Sequence, residues 1–380
     1  MSYAAPSPEE VLRKTRAVGQ YYGFAPLSVS TARGKGGAKS AYPETLSGLT
    51  LDPRAEQVAS FLKHCRDAGL EPNPRAPLLL WHTNIAYGRP APKKIVVQFH
   101  ALGSDHALAD ALVIRTLSAL AEDLFGQATH LRVNSMGDKE TRARYARELG
   151  SFFKRHAHEL PEMCTECARR DALEAAELAL KEGGTVELPA PTDHLSDASR
   201  KRFEDLLEYL EDIGSEYELA HGLLSRGPAW GETCFELTND SGRVAWGSRY
   251  AELARHFFKV PMPATGALIE LTSEKRTKLP SAPKEPSVRF AFVHIGDEAK
   301  RLALSLAEAF KHARLPLSQD IGVESLTEQM RLAERRNPTY LLIMGRKEAL
   351  ERTTIVRNRL TQEETVLPIE GLVARLEKLA

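Results

Sequence analysis

The chain has 380 residues, 42% hydrophobic and 27% charged, a balance that excludes a disordered or membrane-embedded protein and predicts two or three soluble globular domains. Its 51 Lys and Arg are matched by 51 Asp and Glu, so no overall field draws it to nucleic acid or to an anionic membrane, and any RNA or phosphate site has to be a local patch. The start carries no signal or transit pattern and no stretch approaches ~20 apolar residues, which predicts a cytoplasmic protein without membrane attachment.

In chain order, Ser7, Pro8 and Glu10 open a helix over "SPEEVLRKTRAVGQYYGF" with a cap, a fitting first residue and a capping-box partner. "STARGKGGAKSAYP" follows; its Lys39-Ser40 pair is like a phosphate-binding loop, but Ala38 and Pro43 deny it the glycine and the helix start, so a surface loop is the better reading. A second helix runs through "LDPRAEQVASFLKHCRDAG", with Asp52 and Pro53 at its start and Gly69 past its end. "PLLLWHTNIAYGRP" and "KIVVQFHALG" are predicted strands joined by a turn through Pro90 and Pro92. Asp105 starts a helix over "HALADALVIRTLSALAEDLFG", "THLRVNS" is a strand, and "DKETRARYARELGSFFKRHAHEL" is a helix whose "KRHAHEL" forms a solvated face. Helix is expected again at 165–183 and 197–213, then strands "TCFEL" and "RVAWGS" around the turn "TNDSG".

"KLPSAPKEPS", with Pro280, Pro283 and Pro286, is a stiff linker. Behind it "VRFAFVHIG", "DEAKRLALSLAEAFKHA", "LTEQMRLAERRN", "TYLLIMG" and a closing helix from Ile369 alternate as strand, helix, helix, strand and helix, the pattern of a small α/β domain. The predicted organisation is 1–279, a linker at 280–287, and 288–380. Four cysteines are too scattered for a disulfide framework; Cys164 and Cys167 form a lone C-x-x-C, best taken as two reduced cysteines at a helix start. No metal is expected. His82, His100, His106 and His221 lack ligand spacing and are taken as structural.

Several segments in order resemble histidyl-tRNA synthetase, a class II aminoacyl-tRNA synthetase. "LRVNSMGDKETRARY" is similar to that family's "INSLG…R..Y", "GSDHALADALVI" to its "GS…ADAEVI", and "FEL…WGSRYAEL" to its "FE…GGRYD.L". Residues 288–380 resemble its anticodon-binding domain. The resemblance implies an antiparallel class II sheet flanked by helices, followed by an α/β anticodon-binding domain, and a homodimer.

The resemblance breaks at the residues of the chemistry. Where the family's motifs carry arginines this chain has Ala86 in "IAYGRP", Ser225 in "SRGPAWGETCFE" and Ser273 in "GALIELTS". Joining a carboxylate to the α-phosphate of ATP depends on positioning and on positive charge at the phosphate oxygens, and losing one such donor typically costs about 3 kcal/mol. Where the family's histidine-holding segment has glutamate and threonine, "LDPRAEQVA" has Arg54 and Glu56, a reversed charge that repels the substrate ammonium. No catalytic residue is therefore expected.

The remaining pocket candidates are Arg54, Glu56, Arg89, Gln98, His100, Arg226 and Arg249; Arg249 stands at the arginine of the family's "GGRYD", with a structural ion pair as its plain alternative. The register of the second motif strand leaves open whether Gln98 or His100 faces the pocket, and Trp230 and Trp246 are taken as core. In the C-terminal domain, "QDIGVESLTEQ" has three acidic residues and no Lys or Arg where the family is basic, leaving Arg331, Arg335, Arg336, Arg346 and Lys347 as tRNA-contact candidates. Three functions compete: a noncatalytic regulatory or binding paralogue, like the regulatory subunit of ATP phosphoribosyltransferase, with a histidine-biosynthesis enzyme as partner; a tRNA-binding protein without catalysis; and a divergent ligase in which Arg89, Arg226 and Arg249 replace the lost arginines. No cofactor is expected unless the third holds, when ATP and Mg would be used.

Overall fold

The computed structural model describes residues 6–27, 53–72, 77–86, 93–126, 129–182, 187–224, 231–240, 242–273 and 288–378. The Lys39-Ser40 loop, the Pro90 to Pro92 turn and the linker at 280–287 lie outside them.

Helix α1 (Pro8–Tyr21) begins as its sequence dictates, with Ser7 Oγ accepting the Glu10 N–H. Strand β1 (Ala25–Pro26), helix α2 (Pro53–Asp67) and the long hairpin strands β2 (Leu78–Ala86) and β3 (Lys93–Leu102) follow. Helix α3 (Ala107–Phe125) starts two residues later than Asp105. His106 is its cap, Nδ1 accepting the Leu108 N–H, because the Asp105 carboxylate is drawn away to two arginines.

Next come β4 (His130–Ser135) and α4 (Lys139–Arg155). Helix α4 stops before "HAHEL": His156 closes the last turn and approaches Glu159 at 3.2 Å, so this run is a turn and not a helix face. The helix expected at 165–183 is two, α5 (Glu162–Ala168) and α6 (Ala172–Lys181), because Asp171 turns its carboxylate onto the N–H groups of Leu173 and Glu174 and starts a new cap. Helix α7 (Asp197–Asp212), strands β5 (Tyr217–Leu219), β6 (Thr233–Asn239) and β7 (Gly242–Arg249), helix α8 (Ala251–Phe258) and strand β8 (Ala264–Ser273) complete this part.

Among the described residues its eight strands run in the order β1-β2-β3-β8-β7-β6-β4-β5. The interior pairs are antiparallel, as expected; the edges are not, since β1 pairs with β2 and β5 with β4 in parallel, making the sheet mixed. Period-two alternation gives it two buried faces. One face packs Val97, Phe99, Ala267 and Ile269 against α1, α3 and α7, while the other packs Leu80, Val96, Leu268 and Trp246 against α2 and α8. Helices α4, α5 and α6 form a separate cluster around Tyr145, Leu149, Cys164 and Cys167, in which both cysteines are buried and free.

The C-terminal part has β9 (Phe290–His294), α9 (Asp297–His312), β10 (Leu317–Gln319), α10 (Leu326–Arg335), β11 (Tyr340–Met344), α11 (Arg346–Leu350), β12 (Thr353–Asn358), β13 (Glu364–Pro368) and α12 (Leu372–Glu377). Its sheet order is β10-β9-β11-β12-β13, parallel through β11 and antiparallel beyond.

Polar contacts fasten the two parts. Arg115 on α3 grips Glu308 on α9 through two nitrogens at 2.5 and 2.6 Å, Lys311 meets Asp123 at 3.2 Å, and Arg301 pairs with Asp212 and Glu208 while lying 4.3 Å over the Tyr209 ring. Gln319 donates to the Tyr21 carbonyl at 2.7 Å. Beside it Gly23, at φ +80°, has no room for a side chain, since a Cβ would overlap the Gln319 carbonyl.

Gly23→Ala therefore adds overpacking, worth about 1–3 kcal/mol, to left-handed backbone strain of about 1–2 kcal/mol. Gly69→Ala, at φ +67° with open space around it, carries the strain alone. Urea unfolding of the two variants is expected to show the larger loss at Gly23; equal losses would mean that α1 and β10 do not touch in solution.

Candidate functional site

The face of the large sheet beneath α2 holds three of the candidate residues. In the register of β2, β3 and β8, Leu80 pairs with His100, His82 with Gln98, and His100 with Gly266. Gln98 and His100, two apart, thus project to the same side, and α2 lays Phe61 flat on the imidazole with ring centroids 3.7 Å apart. Both candidates left open by the sequence face this side.

His100 is wholly buried and fully used. Its Nε2 donates to Gln98 Oε1 at 3.0 Å, which leaves Nδ1 to accept the Tyr250 hydroxyl at 2.7 Å. Burial, with a smaller contribution from His82, holds its pKa well below the ordinary histidine range, so it is neutral. The space it fills exists because position 266 is glycine; a Cβ there would overlap the ring. Next to it His82 is pushed down to about 4 by burial and by His64, whose ring is 5.4 Å away, and burial lifts the Cys65 thiol to about 12. The neutral set of Gln98, His100 and Tyr250, with its hydrogen bonds closed on itself, is packed interior and offers no charge to a ligand.

Arg54, at the start of α2, places its guanidinium 5.3 Å from the centre of the Trp246 ring, while Glu56 is exposed on the same turn. Trp246 is core, as expected. Lys94 on β3 reaches Glu270 on β8 at 2.8 Å. That pair was not among the candidates, although cross-strand charges at adjacent strand ends are a common sheet device.

Arg249 belongs to the other face. It shares parity with Ala245 on β7, and so points away from Trp246 towards α3. There it is 3% exposed: Nε donates to Asp110 Oδ2 at 2.8 Å, Nη1 to Asp105 Oδ1 at 3.2 Å, and Nη2 to the His106 carbonyl at 3.0 Å. Asp105 also takes Arg202 of α7 at 2.9 Å, and Arg202 pairs with Glu232. The arginine is thus a structural clamp between β7, α3 and α7. Asp110 has no exposed surface and was not singled out beforehand; a lone acid in the apolar run "ALADALVI" was its sequence signal.

Arg89, Arg226 and Ser225 lie outside the described residues. Ala86 and Ser273 end β2 and β8, where the register sets Lys94 against Ala86 and Lys93 against Ser273. Among the described residues no cluster of three or more His, Cys, Asp or Glu is arranged to hold a metal ion, and no helix is long and apolar enough to cross a membrane.

In the C-terminal part the acids of "QDIGVESLTEQ" each meet a cation. Asp320 takes a two-pronged bond from Arg336 at 2.6 and 2.8 Å, Glu328 takes Arg331 at 2.7 Å, and Glu324 takes Lys300. Two of the five tRNA-contact candidates are therefore engaged with carboxylates, while Arg335, Arg346 and Lys347 are exposed.

Residues 288–379 match the family described as the anticodon binding domain. Over 350 residues the chain is 30% identical to the histidine-tRNA ligase of Rhodospirillum rubrum, covering 88% of this chain and 82% of that protein. Over 352 residues it is 25% identical to the histidine-tRNA ligase of a Geobacillus species, covering 88% and 83%. Apo histidyl-tRNA synthetase of S. aureus aligns with 97% of the chain and 96% of its own, at 18% identity and a TM-score of 0.49.

Removing one partner of a buried ion pair strands the other charge, at a cost of about 3–5 kcal/mol. Arg249→Met is expected to lose that much in denaturant unfolding and Arg249→Met/Asp110→Leu to recover most of it; no recovery would mean that the pair is not the stabilising contact.

The buried histidines set a pH dependence. His82, His100 and His294, the last pushed to about 3 chiefly by burial, all have folded pKa values below the unfolded 6.5. The unfolded chain binds the extra protons, so their stability is complete above pH 6.5 and lost as pH falls, by about 1.4 kcal/mol per unit for each histidine. Between pH 6.5 and 5 the unfolding free energy of His82→Gln is expected to fall less steeply than that of the parent chain. Equal slopes would contradict the burial of His82.

Proposed function

The chain belongs to the histidyl-tRNA synthetase family, and from that premise we propose that it is a noncatalytic member, a homodimeric binding or regulatory protein that does not activate histidine. The observation that carries this reading is the state of the face beneath α2. Its imidazole is hydrogen-bonded at both nitrogens, and Arg249 points to the opposite side and is held by Asp110. Stabilising a pentavalent phosphoryl centre needs positive groups already aimed at it. By resemblance three of the family's arginine positions hold Ala86, Ser225 and Ser273.

Arg54 adds to this reading. A guanidinium over Trp246 sets a positive charge where the family resemblance expects a carboxylate, and it opposes an amino-acid ammonium. Freed from catalysis, the fold serves as a platform, with tRNA or a histidine-biosynthesis enzyme as the partner classes that the resemblance supplies. Exposed Arg335, Arg346 and Lys347 favour tRNA as a second reading. The ligase reading draws its support from the names of the relatives, and in it ATP and Mg would be required.

Histidine-dependent exchange of pyrophosphate into ATP decides between the readings, with the Rhodospirillum rubrum ligase run alongside. The chain is expected to give no exchange above the rate without histidine. Exchange within about a thousandfold of the ligase, the deficit that one missing donor produces, would overturn the proposal.

A further inference from the structure

We propose that the groove between α7, α9 and α11 binds a small zwitterion with an apolar side chain, the chemical class of the α-amino acids. The groove encloses about 370 Å³, at the small end of the range for ligand clefts. It shares no residue with the face beneath α2 and does not depend on the reading of that face.

Its walls sort by chemistry. Leu302 and Leu306 on α9, Ala349 on α11 and Ile369 before α12 give an apolar floor. Glu298, in the first turn of α9, and Arg352, just past α11, supply one charge of each sign. Neither forms an ion pair or a side-chain hydrogen bond among the described residues, though both are exposed and both line the groove. The other two charges there are already matched, since Arg301 pairs with Asp212 and Glu208 and stacks over Tyr209.

What remains is one carboxylate and one guanidinium without partners among the described residues, lining the same groove as an apolar floor. An ammonium suits Glu298, a carboxylate suits the planar fork of Arg352, and an aliphatic or aromatic side chain suits the leucines. A nucleotide does not fit this balance, because its several negative charges would meet a single unmatched cation, and a divalent metal would find a single unmatched carboxylate. Because α7 belongs to the layer of the large sheet and α9 and α11 to that of the small one, a molecule held there touches both parts of the chain.

Calorimetric titration of the full chain with L-leucine and L-phenylalanine tests this, using L-leucinamide, which lacks the carboxylate, and N-acetyl-L-leucine, which lacks the ammonium. At least one free amino acid is expected to saturate with Kd on the order of 1 mM or tighter, and both blocked forms to bind about tenfold or more weakly. Arg352→Ala should erase the disadvantage of leucinamide, and Glu298→Gln that of N-acetylleucine; both side chains are exposed and unpaired, so the fold is kept, as circular dichroism would verify. Failure of both amino acids to saturate at millimolar concentration, equal binding of the blocked forms, or binding unchanged in both variants would each overturn the proposal.

Discussion

The large sheet depends on one buried ion pair. Arg249 at the end of β7 and Asp110 in the first turn of α3 are both shielded from water, and a charge in that position is tolerated only with its partner in place. Asp105 extends the pair to Arg202 on α7, so a strand and two helices are fixed by one set of charges. Because strand side chains alternate, committing Arg249 to this face denies its charge to the other. The residue most easily mistaken for a phosphate ligand is thereby the one least free to be one.

The face beneath α2 is organised by the opposite rule. At its centre a neutral set satisfies itself, His100 between Gln98 and Tyr250 with Phe61 stacked on the ring. Such a chain stabilises when complete and penalises any intruder that cannot replace its bonds. A ligand entering there would have to displace an aromatic stack and leave buried hydrogen-bonding groups unpaired. Burial holds His82 and His100 on this face, and His294 in the smaller sheet, below their unfolded pKa and makes the interior sensitive to acid.

Much of the fold was legible where local chemistry is strong. Ser7 and Pro8 began α1, Gly69 followed α2, and the alternation of "KIVVQFHAL" marked β3. Elements that depend on distant partners were missed. Strands β5 and β10 have three residues each and exist only through pairing with β4 and β9, and β13, paired only with β12, is largely exposed and has little apolar pattern. At the site, the sequence left open whether Gln98 or His100 faces the pocket and the structure places both on one face; the sequence had no means of putting Arg249 on the other. Parity within one strand is readable from sequence; which face of a sheet two separate strands share is a tertiary fact.

The C-terminal acids show why counting charges along the chain misleads. "QDIGVESLTEQ" looks like a patch hostile to phosphate, and Arg331 and Arg336 like compensation for it. In space the two features cancel: Asp320 binds Arg336 just past the end of α10, Glu328 binds Arg331 one turn along that helix, and Glu324 pairs with the buried Lys300. The partly shielded Arg336–Asp320 pair has both guanidinium prongs engaged, and so competes with a phosphate for the same nitrogens. The Arg331–Glu328 pair is solvated, and such pairs are worth little, so a polyanion can open it at small cost. Any nucleic acid meeting this surface would therefore draw on Arg331, Arg335, Arg346 and Lys347 before Arg336, and with so few phosphate contacts its affinity would fall only gently with salt.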